Sequence, residues 1–366
     1  MSLENTADAD KFSAMSIVEV AKLAGVSSAT VSRVINCHPN VSSASVLRVR
    51  AAMQKLGYVP PAKRRGPKRK SSGIRAGTIG MLFFGEAPTL ATSPVMALVL
   101  HAIQDALAAH GLNLTLGQIK SDSGLPPNVA NGQVDGLFLQ GLPPSAEIQQ
   151  QLSRYPACVW LLSQRRRLGY WGDRVSPDNF TIGTVAAKYL VGRGHSRVAA
   201  LNCDPSHLGF TTRIEGFESA ARAAGVFATT LADKDNSPIN VGPSPGDDAP
   251  FDALVDQLLA VEGGMPTGLF VPRDPLTIRM YRVLRMRGVK PGRDIEIVSC
   301  DNVPELAGLD PRPATIDIRP GEIGRRAVEQ LLWHINNRAA AINVTSVVEP
   351  ALVPGDQVDR DSFQKD

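Results

Sequence analysis

From Ser16 to Tyr58 the sequence writes two short amphipathic helices joined by a glycine turn, with a third behind them. Ser16 and Glu19 stand at capping-box spacing, so hydroxyl and carboxylate satisfy free N–H groups where the first helix starts. Ile17, Val20, Ala21 and Ala24 recur at i, i+3, i+4 and i+7 and make one apolar face. Gly25 ends that helix with a residue that tolerates positive φ. Ser27 caps a second helix in which Val31, Val34 and Ile35 point inward and Ser28, Ala29, Ser32 and Arg33 point out. A third helix follows from Ser42 and packs through Val46, Val49, Met53 and Leu56. Two helices in this relation can lay the second in the major groove of DNA. An ordinary three-helix bundle with a solvated polar face has the same periodicity, so spacing alone leaves both readings open.

The wording is more specific than the spacing. Val20-Ala21, Ala24-Gly25-Val26-Ser27, Thr30-Val31-Ser32-Arg33-Val34-Ile35-Asn36, Val41-Ser42 and Leu56-Gly57-Tyr58 resemble the headpiece of the LacI/GalR family of bacterial transcriptional regulators. Several of these are surface positions that packing does not dictate. The resemblance implies that Ser28 and Ala29 read bases at the start of the recognition helix and that Arg33 reaches a guanine. An arginine can donate two hydrogen bonds to guanine O6 and N7, worth roughly 1–3 kcal/mol of discrimination. Thr30, Ser32, Asn36, Asn40 and Ser42 carry hydroxyl or amide groups suited to phosphate. Capping and turn formation explain Ser42 and Asn36 equally well.

Charge agrees with a polyanion partner for one end only. The chain carries +4 overall, but residues 1–75 hold 13 Lys/Arg against 4 Asp/Glu, and the remainder is net acidic. Residues 1–15 lack the basic and apolar regions of an export signal and read as a disordered leader. No apolar stretch is long enough to span a membrane. Cys37, Cys158, Cys203 and Cys300 are far apart and show no metal-ligand spacing, which fits reduced thiols in a cytoplasm. No metal or cofactor is expected.

Residues 61–76 form a basic linker rich in Pro and Gly without an acidic residue. In the family this stretch is a short hinge helix whose leucine wedges into the minor groove. Here Pro67 stands at that place, and proline lacks the donor a helix needs. Arg64, Arg65, Lys68 and Arg69 are therefore expected to lie along a narrow A·T-rich minor groove.

From Thr78 onward short apolar runs alternate with amphipathic helical patterns. Thr78–Phe84, Gly136–Leu139, Val159–Leu162, Val198–Leu201, Gly268–Val271 and Glu296–Ser299 read as strands. Such alternation builds parallel sheets covered by helices. The expected fold class is an all-α helix–turn–helix headpiece (16–60) followed by an α/β domain (77–355) of two doubly wound subdomains, then a tail (356–366).

The resemblance runs on through Val134-Asp135-Gly136, Ser176-Pro177-Asp178-Asn179, Gly194-His195-Ser196-Arg197, Arg213-Ile214-Glu215-Gly216-Phe217, Asp301-Asn302 and Glu322–Val328. It implies a periplasmic-binding-protein-like domain that takes a small effector, commonly a sugar or nucleobase, in a cleft. Arg213 and Asp301 match the two polar positions that anchor it; a guanidinium and a carboxylate can bracket neighbouring hydroxyls. Arg273 replaces a common asparagine, and Asp274 beside it is a further candidate, although a strand-end aspartate more often caps the next helix. Val95-Met96 replaces a frequent aromatic pair, which leaves Tyr170 and Trp171 as candidate aromatic walls, although loop aromatics are more often packing. An extra cation with fewer stacking faces suits an acidic or phosphorylated sugar. His195 reads as a structural turn histidine. The whole pattern predicts a homodimer on a palindromic operator, controlled by a small molecule. An enzyme on the same fold lacks a Walker, GxGxxG or G-x-S-x-G motif. A solute-binding transport component would need an export signal.

Overall fold

The glycine turn and its caps take shape as the pattern requires. In the computed structural model, which describes residues 16–35, 41–58, 73–85, 93–120, 123–155, 157–162, 171–235, 237–239 and 248–356, the contacts divide the chain into Met1–Ser71 and Ser72–Asp366. The leader, most of the linker and almost all of the tail lie outside the described residues, as do Asn36, Cys37, Asn40, Arg64, Arg65, Pro67, Lys68, Arg69 and Tyr170.

The first unit holds α1 (Ile17–Ala24), α2 (Ser28–Ile35) and α3 (Ser43–Lys55). The Ser16 N–H donates to Glu19 Oε2 at 2.8 Å, and Gly25 closes α1 with φ 59°. The Thr30 N–H donates to Ser27 Oγ at 3.1 Å, and that of Ser45 to Ser42 Oγ at 3.3 Å. Val20, Ala21, Ala24, Val31, Val34, Val49 and Ala52 make one shared core. Three helices of 8, 8 and 13 residues would be marginal alone; burying these side chains together supplies what propensity does not.

The second unit has two lobes. One is a wholly parallel sheet in the order β11-β5-β4-β3-β1-β2: β1 (Thr78–Phe84), β2 (Asn113–Ile119), β3 (Leu137–Gly141), β4 (Cys158–Leu161), β5 (Asp173–Pro177) and β11 (Thr345–Val348). The other runs β12-β10-β9-β8-β6-β7: β6 (Arg197–Asn202), β7 (Phe227–Ala232), β8 (Gly268–Phe270), β9 (Glu296–Cys300), β10 (Ala314–Asp317) and β12 (Ala351–Val353). There only the β10–β12 pair is antiparallel. Among the described residues the chain therefore passes between lobes three times, after β5, after β10 and after β11.

The six predicted strands are all present, within a residue or two of the expected bounds. Six more, β2, β5, β7, β10, β11 and β12, were not expected from the pattern. Those recognised are buried along most of their length and read as continuous apolar runs, whereas β2 and β7 lie at sheet edges with most residues part-exposed.

Helices cover the sheets. In the first lobe α4 (Pro94–Ala109) packs on α11 (Pro320–Asn336), with the short α5 (Pro127–Ala130) and α6 (Ala146–Leu152) nearby in sequence. A Cβ on Gly324 would press on the Val99 carbonyl at 2.8 Å, so the glycine sets how closely α4 and α11 approach. In the second lobe α7 (Asn179–Gly192) and α8 (Leu208–Ala223) cross backbone to backbone, and α9 (Ala249–Leu259) and α10 (Asp274–Met286) complete the layers. A Cβ on Gly183 would collide with the Arg213 carbonyl, and one on Gly216 with that of Phe180. Among the described residues no helix is long and apolar enough to cross a membrane, and Cys158, Cys203 and Cys300 are free, buried thiols.

The unit's first segment is pinned. Asp135 accepts the backbone N–H of Arg75 (2.6 Å), Ala76 (3.0 Å) and Gly77 (2.7 Å) in succession, a nest of amides around one carboxylate. Gly73 donates to Asn336 Oδ1 at 3.3 Å, at the far end of α11, and its carbonyl accepts from Arg338.

Candidate functional site

On the headpiece, burying Val31 and Val34 turns the opposite face of α2 outward. Ser28, Ala29 and Arg33 are exposed there, while Thr30 and Ser32 are half-buried. Thr30 serves the start of its own helix, its hydroxyl lying 2.9 Å from Ser27 Oγ. Ser42 is occupied as the cap of α3. The outward group is thus small residues at the start of α2 and one long cation a turn later.

In the second unit a cavity of about 230 Å³ opens between the lobes. Its walls are the carboxyl ends of parallel strands, where a doubly wound sheet leaves its crevice. Ser93, Val95, Gln140, Leu162 and Pro177 come from the first lobe, and Asn179, Asp204, His207, Gly209, Phe210, Arg213, Arg273 and Asp301 from the second; Ile318 is on a crossover. All four non-glycine residues with positive φ among those described sit at or beside this cavity: Leu162 (55°), Asp301 (115°), Asn302 (59°) and Arg319 (55°). Backbone held in such regions costs about 1–3 kcal/mol per residue and is kept where the surroundings over-determine it.

Arg213 is nearly fully buried and fixed on several sides. Its Nε donates to Asn179 Oδ1 at 2.9 Å and one terminal nitrogen to the Pro272 carbonyl at 2.5 Å; the same nitrogen lies 3.9 Å from Asp301 Oδ1. The anchors expected from sequence are therefore brought together. Burial raises the Asp301 carboxyl above its usual range, opposed by the positive charges of Arg213 and Arg273. Arg273 precedes α10 and lines the cavity, with its guanidinium 5.9 Å from the centre of the Phe210 ring; that of Arg213 is 5.3 Å from the same ring.

Asp274 does not belong to the lining. It is fully buried behind it, and its carboxylate accepts from Ser299 Oγ, from Thr315 Oγ1 at 3.1 Å and from the Val303 N–H at 2.7 Å. Three internal donors satisfy it, which corrects the expectation that it touches ligand. Nor does it cap α10; it ties down the loop that carries Asp301. Burial, then repulsion from Asp301, pushes it up to about 7.

Trp171 also falls outside the cavity: it packs edge-on against Trp160, ring centres 5.3 Å apart. The aromatic wall is instead Phe210, with the His207 ring 4.7 Å away. The signal was present, since Phe210 lies three residues before Arg213 and so on the same helical face. Of the Val95-Met96 pair, Val95 faces the cavity and Met96 is buried in the core. His195 is structural as expected, its Nδ1 2.8 Å from Thr267 Oγ1 and its Nε2 2.9 Å from Glu296.

A three-helix reading head and a two-lobed, cavity-bearing α/β unit on one chain define the architecture of a ligand-responsive regulator. Residues 16–61 match the family described as bacterial regulatory proteins, lacI family, and residues 187–357 match the periplasmic binding protein-like domain. The chain belongs to the LacI family. It is 28% identical to the ribose operon repressor of Escherichia coli (strain K12) over 327 residues, 87% of this chain and 92% of that protein. It is 27% identical to the HTH-type transcriptional repressor PurR of Vibrio atlanticus (strain LGP32), covering 88% and 92%. Among solved structures, the transcriptional regulator CelR–cellobiose complex matches with TM-score 0.61 at 25% identity, over 93% of this chain and 99% of that one. The Lac repressor dimer bound to operator and the anti-inducer ONPF matches with TM-score 0.58 at 21% identity, over 93% and 98%.

Proposed function

We propose that this protein is a dimeric transcriptional repressor of the cytoplasm that binds a palindromic operator and responds to a sugar or sugar derivative held between its lobes. The observation that carries the reading is the exposed face of α2, where Ser28 and Ala29 leave room for base edges and Arg33 reaches beyond them. One headpiece covers a half-site, and two-fold pairing supplies affinity at a palindrome. Thr30, Ser32, Asn36, Asn40 and Ser42 serve the phosphates, and Arg64, Arg65, Lys68 and Arg69 follow the minor groove. Relatives named for ribose and cellobiose support a polyol in the cavity, where Arg213, Asp301 and Arg273 hold it. The ligand acts by shifting the balance between lobe arrangements, because its binding free energy differs between them.

The test is selection of operator fragments from genomic DNA, followed by gel shift with and without candidate sugars. A retarded fragment with two-fold symmetric protection, whose retention changes with one sugar, is the expected result. Equal retention of selected and bulk DNA would reject the reading.

A further inference from the structure

The two guanidiniums at the cavity differ in how they are spent. Arg213 is committed to Asn179, to the Pro272 carbonyl and to Asp301. Arg273 lies half-buried in the same wall, and among the described residues its guanidinium has no hydrogen-bond or ion-pair partner; it lies over the face of Phe210, and Asp301 feels its charge without pairing with it. A half-desolvated guanidinium without an acceptor is costly unless something else supplies one. Of the carboxylates lining the cavity, Asp301 faces Arg213, and Asp204 accepts from the N–H and hydroxyl of Ser206 in its own turn. Neither carboxylate forms an ion pair with Arg273. On the opposite lobe Gln140 Oε1 is buried with no hydrogen-bond partner among the described residues, a polar group left for a ligand hydroxyl. Two helices of 16 and 13 residues, α8 and α10, also begin at this wall and add positive potential.

We propose that the cavity selects an anionic polyol, a sugar acid or sugar phosphate, and that Arg273 is the residue that binds its oxyanion. This rests on the reading of the cavity as the effector site. Asp301 and Gln140 take hydroxyls, Phe210 takes an apolar ring face, and the Arg273 fork takes the carboxylate or phosphate in a bidentate pair.

The experiment is calorimetric titration of the full-length protein at fixed ionic strength with matched probes: glucose, glucuronate and glucose 6-phosphate, and ribose with ribose 5-phosphate. An anionic member is expected to bind at least about tenfold more tightly than its neutral parent, from one charge-assisted pair. Glucuronate against glucose 6-phosphate distinguishes carboxylate from phosphate. In Arg273→Asn that preference disappears; Arg273→Lys, which keeps the charge without the fork, retains part of it and guards against a variant that does not fold. Neutral sugars binding as tightly as their anionic partners, or a preference that survives Arg273→Asn, overturns the proposal and leaves the effector reading standing. If no probe of either kind binds, both fall together.

Discussion

The Asp274 carboxylate accepts the backbone N–H of Val303 at 2.7 Å, across the base of the loop that holds Asp301 and Asn302 at positive φ. A carboxyl with no direct view of the cavity thus fixes the residue that lines it. With its pKa raised from 3.8 to about 7 by burial and by Asp301, the folded state binds more protons than the unfolded one between those values. Unfolding free energy therefore falls as pH rises from about 4 to about 7 at this site. Asp274→Asn preserves the geometry, with Oδ1 accepting from Val303 and the amide donating to the Ser299 or Thr315 hydroxyl. Urea denaturation should show the variant gaining on the wild type between about pH 4 and 7; parallel profiles would refute this. Asp274→Leu, which strands the Val303 N–H, should cost about 1–3 kcal/mol at any pH.

Arg33→Ala should weaken binding to a selected operator by about 10- to 100-fold, the loss of one bidentate base contact. Binding to bulk DNA should change far less, because phosphate contacts remain. Fluorescence anisotropy on both DNAs reads the ratio, and an equal loss on each would make Arg33 a phosphate ligand.

The linker cations act through charge number. Replacing Arg64, Arg65, Lys68 and Arg69 together by alanine should flatten the slope of log affinity against log salt. An unchanged slope places them off the duplex.

Gly183→Ala drives a methyl into the Arg213 carbonyl. Overpacking of this kind costs about 1–3 kcal/mol or more, and here it also displaces the helix that carries Phe210 and Arg213. Lower melting temperature together with weaker effector binding is expected. Gly192→Ala, in the same helix with nothing within 4 Å of the added methyl, is the control and should melt like the wild type.

Asp135→Ala removes the shared acceptor of three successive amides where the chain enters the two-lobed unit. Effector affinity by calorimetry should hold, while the effector-dependent change in operator affinity shrinks. Unaltered coupling would show that the nest serves stability alone.

The headpiece was legible almost to the residue, because caps, a glycine turn and one apolar face are local signals. The central strands were legible for a related reason: burial on both faces leaves continuous apolar runs such as Thr78–Phe84. Edge strands such as Asn113–Ile119 mix faces, and Asp173–Pro177 carries polar ends that serve other tasks, Asp173 accepting from Gln330 and from the Val344 N–H. At the cavity, Arg213 and Asp301 were legible only through the family resemblance, as its two polar anchor positions, and Arg273 only as a departure from the asparagine common there. Phe210 was missed since an aromatic near a helix start has the signature of core. Asp274 misled because a buried carboxylate beside a site looks the same in sequence whether it meets ligand or three internal donors.

Strand β11 joins the first sheet from about 170 residues beyond β5, its neighbour, and α11 covers that same lobe. A ribosome making this protein releases β1 through β5 long before either arrives. During that interval the β5 margin stands open to any passing strand, so the nascent first lobe must wait for the second to be made before it can close.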